Sequence, residues 1–231
     1  LTAIPAPIGV ETGLENVTDL ARRFGINTQL HNYPSVTLGS DEVTLIDMTS
    51  AYGVLALGGR QMSSSIIQEI RNSRGEVLFR RPEIEQPRIY DEELARQMTR
   101  MHTRVVIQGT GGAARIPGWD VAGKTGTSQD WRDAWFIGYT AEFVGGVWVG
   151  NDDDTSMERV TGGELPTLIW RDMMAAALEG KEPGELDGAE SLEVFMTNAD
   201  MERLNFYREL SSAFRSIGPG RQRTARELSE L

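Results

Sequence analysis

Gly123-Lys124-Thr125-Gly126-Thr127-Ser128 is the stretch on which the reading of this chain turns. The sequence holds two lysines, Lys124 and Lys181, among 23 basic residues, so arginine is its ordinary surface cation. A lysine set between glycine and threonine on both sides is not explained by surface charge. Small neighbours let another backbone approach closely, and hydroxyl and N–H groups bind anions. Two local readings compete. Gly118 to Thr125 satisfies the phosphate-loop spacing G-x-x-x-x-G-K-[ST], which has meaning only between a strand and a helix. Asp120 would place a negative charge inside that loop, and a turn rather than a helix comes after Thr125. The other reading makes the lysine part of a strand, Lys-Thr-Gly-Thr, lining a cleft.

The flanks favour the strand. Trp119–Thr127, Asp133–Thr140 and Phe143–Gly150 are short, rich in aromatic and β-branched residues, and separated by brief polar turns. Connections this short exclude crossover helices and predict three adjacent antiparallel strands. Upstream, apolar residues at helical spacing predict helices over 14–24, 44–57 and 91–107, the last with Asp91, Glu92 and Glu93 in its first turn. Asn72-Ser73-Arg74-Gly75 between Ile66–Arg71 and Val77–Phe79 predicts a hairpin. Gly109 to Gly112 reads as a loop. Leu165–Leu178, with Pro166 near its start and Gly180 after its end, predicts a closing helix. From Lys181 the chain is more polar, with short amphipathic pieces around Met201–Phe214. Helices packed on a strand cluster give an α+β fold.

Lys124-Thr125-Gly126-Thr127 resembles the Lys-Thr-Gly motif of penicillin-binding proteins and serine β-lactamases. Its surroundings narrow the likeness. Val121 to Ser128, Arg132 to Thr140, Gly146 to Asp153, Thr161-Gly-Gly-Glu-Leu-Pro and Ile169-Trp-Arg-Asp together resemble class A, bifunctional penicillin-binding proteins of the 1A type. The likeness is dense from Trp119 to Asp172 and looser back to residue 1, through Ala21-Arg-Arg-Phe-Gly-Ile and Met48-Thr-Ser-Ala-Tyr. It implies a penicillin-binding protein/serine β-lactamase-like transpeptidase fold, here incomplete, with residues 1–180 as the C-terminal part of the transpeptidase domain and 181–231 as a polar tail.

The resemblance also implies chemistry. The family cross-links peptidoglycan: a serine attacks the D-Ala–D-Ala bond of a stem peptide and passes the acyl group to an amine, and β-lactams acylate the same serine. Lys124 would be the catalytic strand lysine, supplying positive potential near the substrate carboxylate and joining the proton relay. Thr125 and Thr127 would bind that carboxylate, Gly126 would keep the strand edge open, and Ser128 would complete the substrate-binding run. The Thr127 N–H would donate to the oxyanion, a contribution of about 3 kcal/mol in such sites. No cofactor or metal is implied. Stem peptide, β-lactams and wall-synthesis proteins are the implied partners of a parent that also carries a glycosyltransferase and is anchored in the bacterial inner membrane, with this part on the periplasmic side.

The motif set is incomplete. The residues three before Lys124 and Lys181 are Val121 and Leu178, so the chain contains no Ser-x-x-Lys. Ser-x-Asn is absent as well. The expectation is a transpeptidase fragment, beginning at Leu1 rather than Met, whose nucleophile lies upstream. Such a chain would form no penicillin adduct, and an unmated sheet edge would favour aggregation. A degenerate, non-catalytic module of a wall-synthesis complex is the alternative, and a P-loop nucleotide binder the distant one.

Composition sets outer bounds. Apolar residues make up 39% of 231, enough for a sizeable core. The net charge of −11 argues against a nucleic-acid partner. The absence of cysteine excludes disulfides and thiol nucleophiles. No run approaches a membrane span. Trp131, Trp135, Trp148 and Trp170 read as core residues, His31 and His102 as surface or helix residues, Asp152-Asp153-Asp154 as a solvated turn, and Ser63-Ser64-Ser65 as a strand lead-in.

Overall fold

The computed structural model describes residues 5–82 and 85–189. Its elements run α1 (Pro5–Thr12), α2 (Leu14–Arg23), α3 (Leu45–Ala56), β1 (Glu69–Arg71), β2 (Val77–Arg80), α4 (Glu92–Ile107), β3 (Ala122–Thr127), β4 (Asp133–Tyr139), β5 (Val144–Gly150) and α5 (Leu165–Leu178). The predicted helices and the hairpin turn form where the sequence reading puts them, and Thr44 and Asp91, read there as the first helical residues, are the caps. The Thr44 hydroxyl accepts from the Asp47 N–H to start α3, and the Asp91 carboxylate accepts from the Leu94 N–H to start α4. Asn72 Oδ1 accepts from the Arg74 and Glu76 amides and so closes the β1–β2 turn. Helix α1 is not evident in the sequence because Pro5 and Pro7 look like breakers, yet prolines in a first turn forgo no helical hydrogen bond.

Strands β3, β4 and β5 form one antiparallel sheet in that order. Lys124 lies opposite Ile137 and Gly126 opposite Trp135; Trp135 in turn lies opposite Trp148. The strand expected from Trp119 begins only at Ala122, because Gly118 turns the chain at φ +81° and the Trp119 N–H donates back to Ile116 O. The hairpin strand expected from Ile66 likewise shortens to Glu69–Arg71.

Paired residues share a face of the sheet. Gly123, Thr125 and Thr127, with Phe136 and Val147, face α5, where Phe136 meets Trp170 edge-on at 5.1 Å. Ala122, Lys124 and Gly126, with Tyr139, Ile137 and Trp135, face α3 and α4. Each face has its own core. Val106, Val121, Phe136, Trp170 and Met174 build the first, and Leu55, Ala95, Ala122, Tyr139 and Leu186 the second. Leu186 lies beyond α5, so the start of the polar segment runs back over the body. There Arg96 grips Asp187 through two hydrogen bonds of 2.8 and 3.1 Å. The amphipathic pieces read around Met201–Phe214 lie outside the described residues.

The tryptophan expectation needs correction. Trp170 is fully buried, but Trp131 and Trp148 are 40% and 36% exposed. Helix α3 covers the row at Gly146, where Thr49 and Leu45 pack. The Trp135–Trp148 row lies one pair further along that face, and Trp148 instead donates its indole N–H to Asp133 at 2.9 Å. Asp152–Asp154 is an exposed turn, in line with its composition.

Candidate active site

Lys124 sits on a strand, in ladder register with β4, and the strand lies at the sheet's edge. That arrangement removes the phosphate-loop alternative, which needs a loop wrapped at a helix N-terminus. Beyond Thr127 the chain makes a tight turn. Asp130 and Trp131 adopt positive φ there, and the Ser128 hydroxyl oxygen accepts from the Asp133 N–H at 2.7 Å. Ser128 therefore serves the turn that joins β3 to β4.

Antiparallel bonding alternates along a strand. The Ser128 N–H donates inward to Asp133 O. The amides one and three residues earlier, Thr127 and Thr125, consequently project from the free edge of β3. The Lys124 ammonium folds over this rim and donates to Thr125 O at 2.8 Å. Its side chain is exposed as a whole, but the ammonium lies close against the strand, and desolvation holds it below the ordinary lysine range.

The two threonines point to the opposite face from the lysine. Thr125 Oγ1 shares a 2.6 Å hydrogen bond with Thr110 Oγ1. Thr127 Oγ1 accepts from the Gly162 N–H at 3.0 Å, which leaves its own proton available to donate. Gly162 crosses directly over the β3–β4 ladder. A Cβ there would stand 2.3 Å from Gly126 O and 2.4 Å from Trp135 O, so only glycine fits. Thr167 fixes this crossing by donating to Gly162 O at 2.5 Å. Nothing in the sequence marks Thr110 and Gly162 as site neighbours. Each lies in a Gly-Thr or Thr-Gly-Gly loop, a composition that suits close backbone approach but does not say to what.

Behind Lys124, on its own face, lies a buried polar layer. Tyr139 OH is 3.1 Å from Thr99 Oγ1 and 3.3 Å from His102 Nδ1. Tyr52 stacks on the His102 ring at 5.2 Å and 14°. Burial first, and then the positive charge of Lys124, push His102 down to about 4. Burial pushes Tyr52 up to about 12, and Tyr139 is pushed up for the same reason. All three rings are thus neutral near pH 7.

Solved structures share this arrangement of helices on an antiparallel sheet. Penicillin-binding protein 1A from Haemophilus influenzae superposes with a TM-score of 0.73 at 23% identity, over 80% of this chain and 34% of that one. The penicillin-binding protein PonA1 from Mycobacterium tuberculosis gives 0.65 at 26% identity, over 76% of this chain and 54% of that one. The fold is the α+β transpeptidase/β-lactamase-like fold. Residues 10–174 match the family model described as the penicillin binding protein transpeptidase domain, and the chain belongs to that family. Among curated relatives, penicillin-binding protein 1A of Rickettsia conorii is 33% identical over 77% of this chain and 25% of its own length. That of Neisseria meningitidis serogroup B is 37% identical over 70% of this chain and 21% of its own. The chain thus spans about a quarter of the length of these relatives. Among the described residues no helix is long and apolar enough to cross a membrane.

Proposed function

We propose that the chain is the C-terminal part, over residues 1–180, of the transpeptidase domain of a bifunctional, 1A-type penicillin-binding protein, followed by a polar extension over 181–231. Lys124 is its catalytic strand lysine. Thr125, Gly126, Thr127 and Ser128 form the substrate-binding run. The observation that carries this reading is the edge position of β3, with the Lys124 ammonium and the Thr127 amide meeting at one open rim. A D-Ala–D-Ala carboxylate lying along the rim would meet the ammonium from one face and the Thr125 and Thr127 hydroxyls from the other. The Thr127 N–H would receive the oxyanion of the tetrahedral intermediate. The attacking serine, its Ser-x-x-Lys partner and the glycosyltransferase belong to a longer parent held at the inner membrane, with this domain on the periplasmic side. Stem peptides are its substrates, β-lactams its inhibitors, and wall-synthesis proteins its partners.

Half of an acyl-serine site supplies electrostatics but no nucleophile. Incubated with a fluorescent penicillin, the isolated chain is expected to show no stable label after denaturing electrophoresis. The full-length protein is expected to label, and Lys124→Met to reduce that labelling by two orders of magnitude or more, as roughly expected when a preorganised charge is lost. Stable labelling of the isolated chain would refute the division proposed. The gene upstream of Leu1 provides the second test. Intact Ser-x-x-Lys and Ser-x-Asn motifs are expected there, and an unbroken reading frame without them would favour a non-catalytic module.

A further inference from the structure

The polar layer behind β3 is unused by the transpeptidase chemistry, yet it lies next to the residue on which that chemistry depends. Tyr139 pairs across the ladder with Ala122, and Lys124 is two residues further along the same face, about 7 Å away at strand spacing. His102 reaches this face from α4, is only 7% exposed, and touches Tyr139 OH through Nδ1. Tyr52 from α3 covers its ring. The titratable and charged groups facing His102 are therefore Tyr52 from α3, Tyr139 from β4 and Lys124 from β3, and it is Lys124 that acts on it by charge.

We propose that His102 is a positioning residue for Lys124: its imidazole, pinned by Tyr139 and stacked on Tyr52, forms a neutral polar floor behind the edge strand and keeps the positive charge of that face on the lysine. A protonated ring there would set a buried positive charge behind the Lys124 ammonium, with Tyr52 and Tyr139 too reluctant to ionise to compensate. An aliphatic residue would remove the polar floor and deepen the desolvation of the ammonium. His102 thus lies behind Lys124, under the half of this face that α3 and α4 cover. The inference rests on the catalytic role proposed for Lys124.

The composition makes the test simple, because the chain has two histidines and two lysines. His31 and Lys181, both exposed, are internal references for His102 and Lys124. Histidine C2–H exchange read by mass spectrometry on proteolytic peptides gives the midpoint of each ring separately. In the unmodified chain, the His102 midpoint is expected well below the ordinary 6.5 of an imidazole. Lys124→Met is expected to move it upward by roughly half a pH unit or more, with His31 unmoved. In the converse arm, pH-dependent acetylation gives the midpoints of the two lysines. His102→Leu is expected to lower that of Lys124 and not that of Lys181. The first arm alters only an exposed side chain, so it holds even where His102→Leu fails to fold. An unmoved His102 midpoint in Lys124→Met overturns the proposal, as does an unmoved Lys124 midpoint in folded His102→Leu. Neither arm needs a nucleophile. Penicillin labelling that ignores Lys124→Met would defeat the functional reading while leaving this coupling intact, and the reverse result would do the opposite.

Discussion

The two faces of the β3–β4–β5 sheet contrast in how they are covered. Over β4 the α5 face is sealed: Phe136 and Trp170 are fully buried, Met174 nearly so, and the Trp170 indole N–H donates to Gly145 O at 2.9 Å. The opposite face is sealed only along half its length, by α3 and α4 over Tyr139 and Ile137. At the Trp135–Trp148 row it opens, and Lys124 stands at the boundary between the closed half and the open one. A charged group at such a boundary gains strength, because its back is buried while its front stays accessible.

Truncating side chains on the two faces should expose that contrast most sharply. Trp170→Ala is expected to destabilise the fold by about 4 kcal/mol through lost burial and a residual cavity. Trp148→Ala, on the open row, should cost about 1 kcal/mol or less. Urea denaturation of the two variants checks the contrast, and equal losses would mean that the open row is covered in solution.

Acid should act on the half-open face next. Burial holds the folded His102 ring near 4 against an ordinary 6.5. Between those values the unfolded chain binds a proton that the folded chain refuses. The contribution is complete above pH 6.5 and is lost as pH falls toward 4, amounting to about 3 kcal/mol at most. Denaturation midpoints measured from pH 7 to pH 4 should fall accordingly, and folded His102→Leu should flatten that part of the profile.

Gly162→Ala addresses the α5 face where it meets β3. The added methyl would collide with the backbone oxygens of Gly126 and Trp135. Backbone has little room to yield, so a loss of about 2 kcal/mol is expected. Thr110→Val, which removes one neutral hydroxyl pair, should cost about 1 kcal/mol. Thermal melts of both variants would rank them, and a Gly162→Ala protein as stable as the parent would show that this crossing is loose.

Much of this architecture was legible in short stretches. The apolar spacing of α3 and α4, the acidic Asp91–Glu93 start, the Asn72–Gly75 turn and the Pro166 start of α5 are signals of near spacing, so local chemistry located the elements. The strand identity of Lys124 came from its β-branched and aromatic flanks. Other features were illegible for a consistent reason. His102 is an ordinary helix residue until Tyr139, 37 positions away, meets it. Gly162 is an ordinary loop glycine until it crosses Thr127, 35 positions back. The tryptophans look alike in composition, and only their placement separates them: Trp170 lies on α5 against Phe136, Trp131 sits in the turn between β3 and β4, and Trp148 lies beyond the row that α3 covers.

The amino-acid sequence alone determined the α+β class, the strand character of Lys124-Thr125-Gly126-Thr127, the absence of Ser-x-x-Lys and the family resemblance, because these depend on residue type and near spacing. Tertiary structure decided that β3 is an edge, that the lysine and the threonines leave it on opposite faces, and that a neutral histidine lies behind the lysine. Those are facts of packing between distant segments. Burial, desolvation and hydrogen-bond partnership arise only when the segments are brought together.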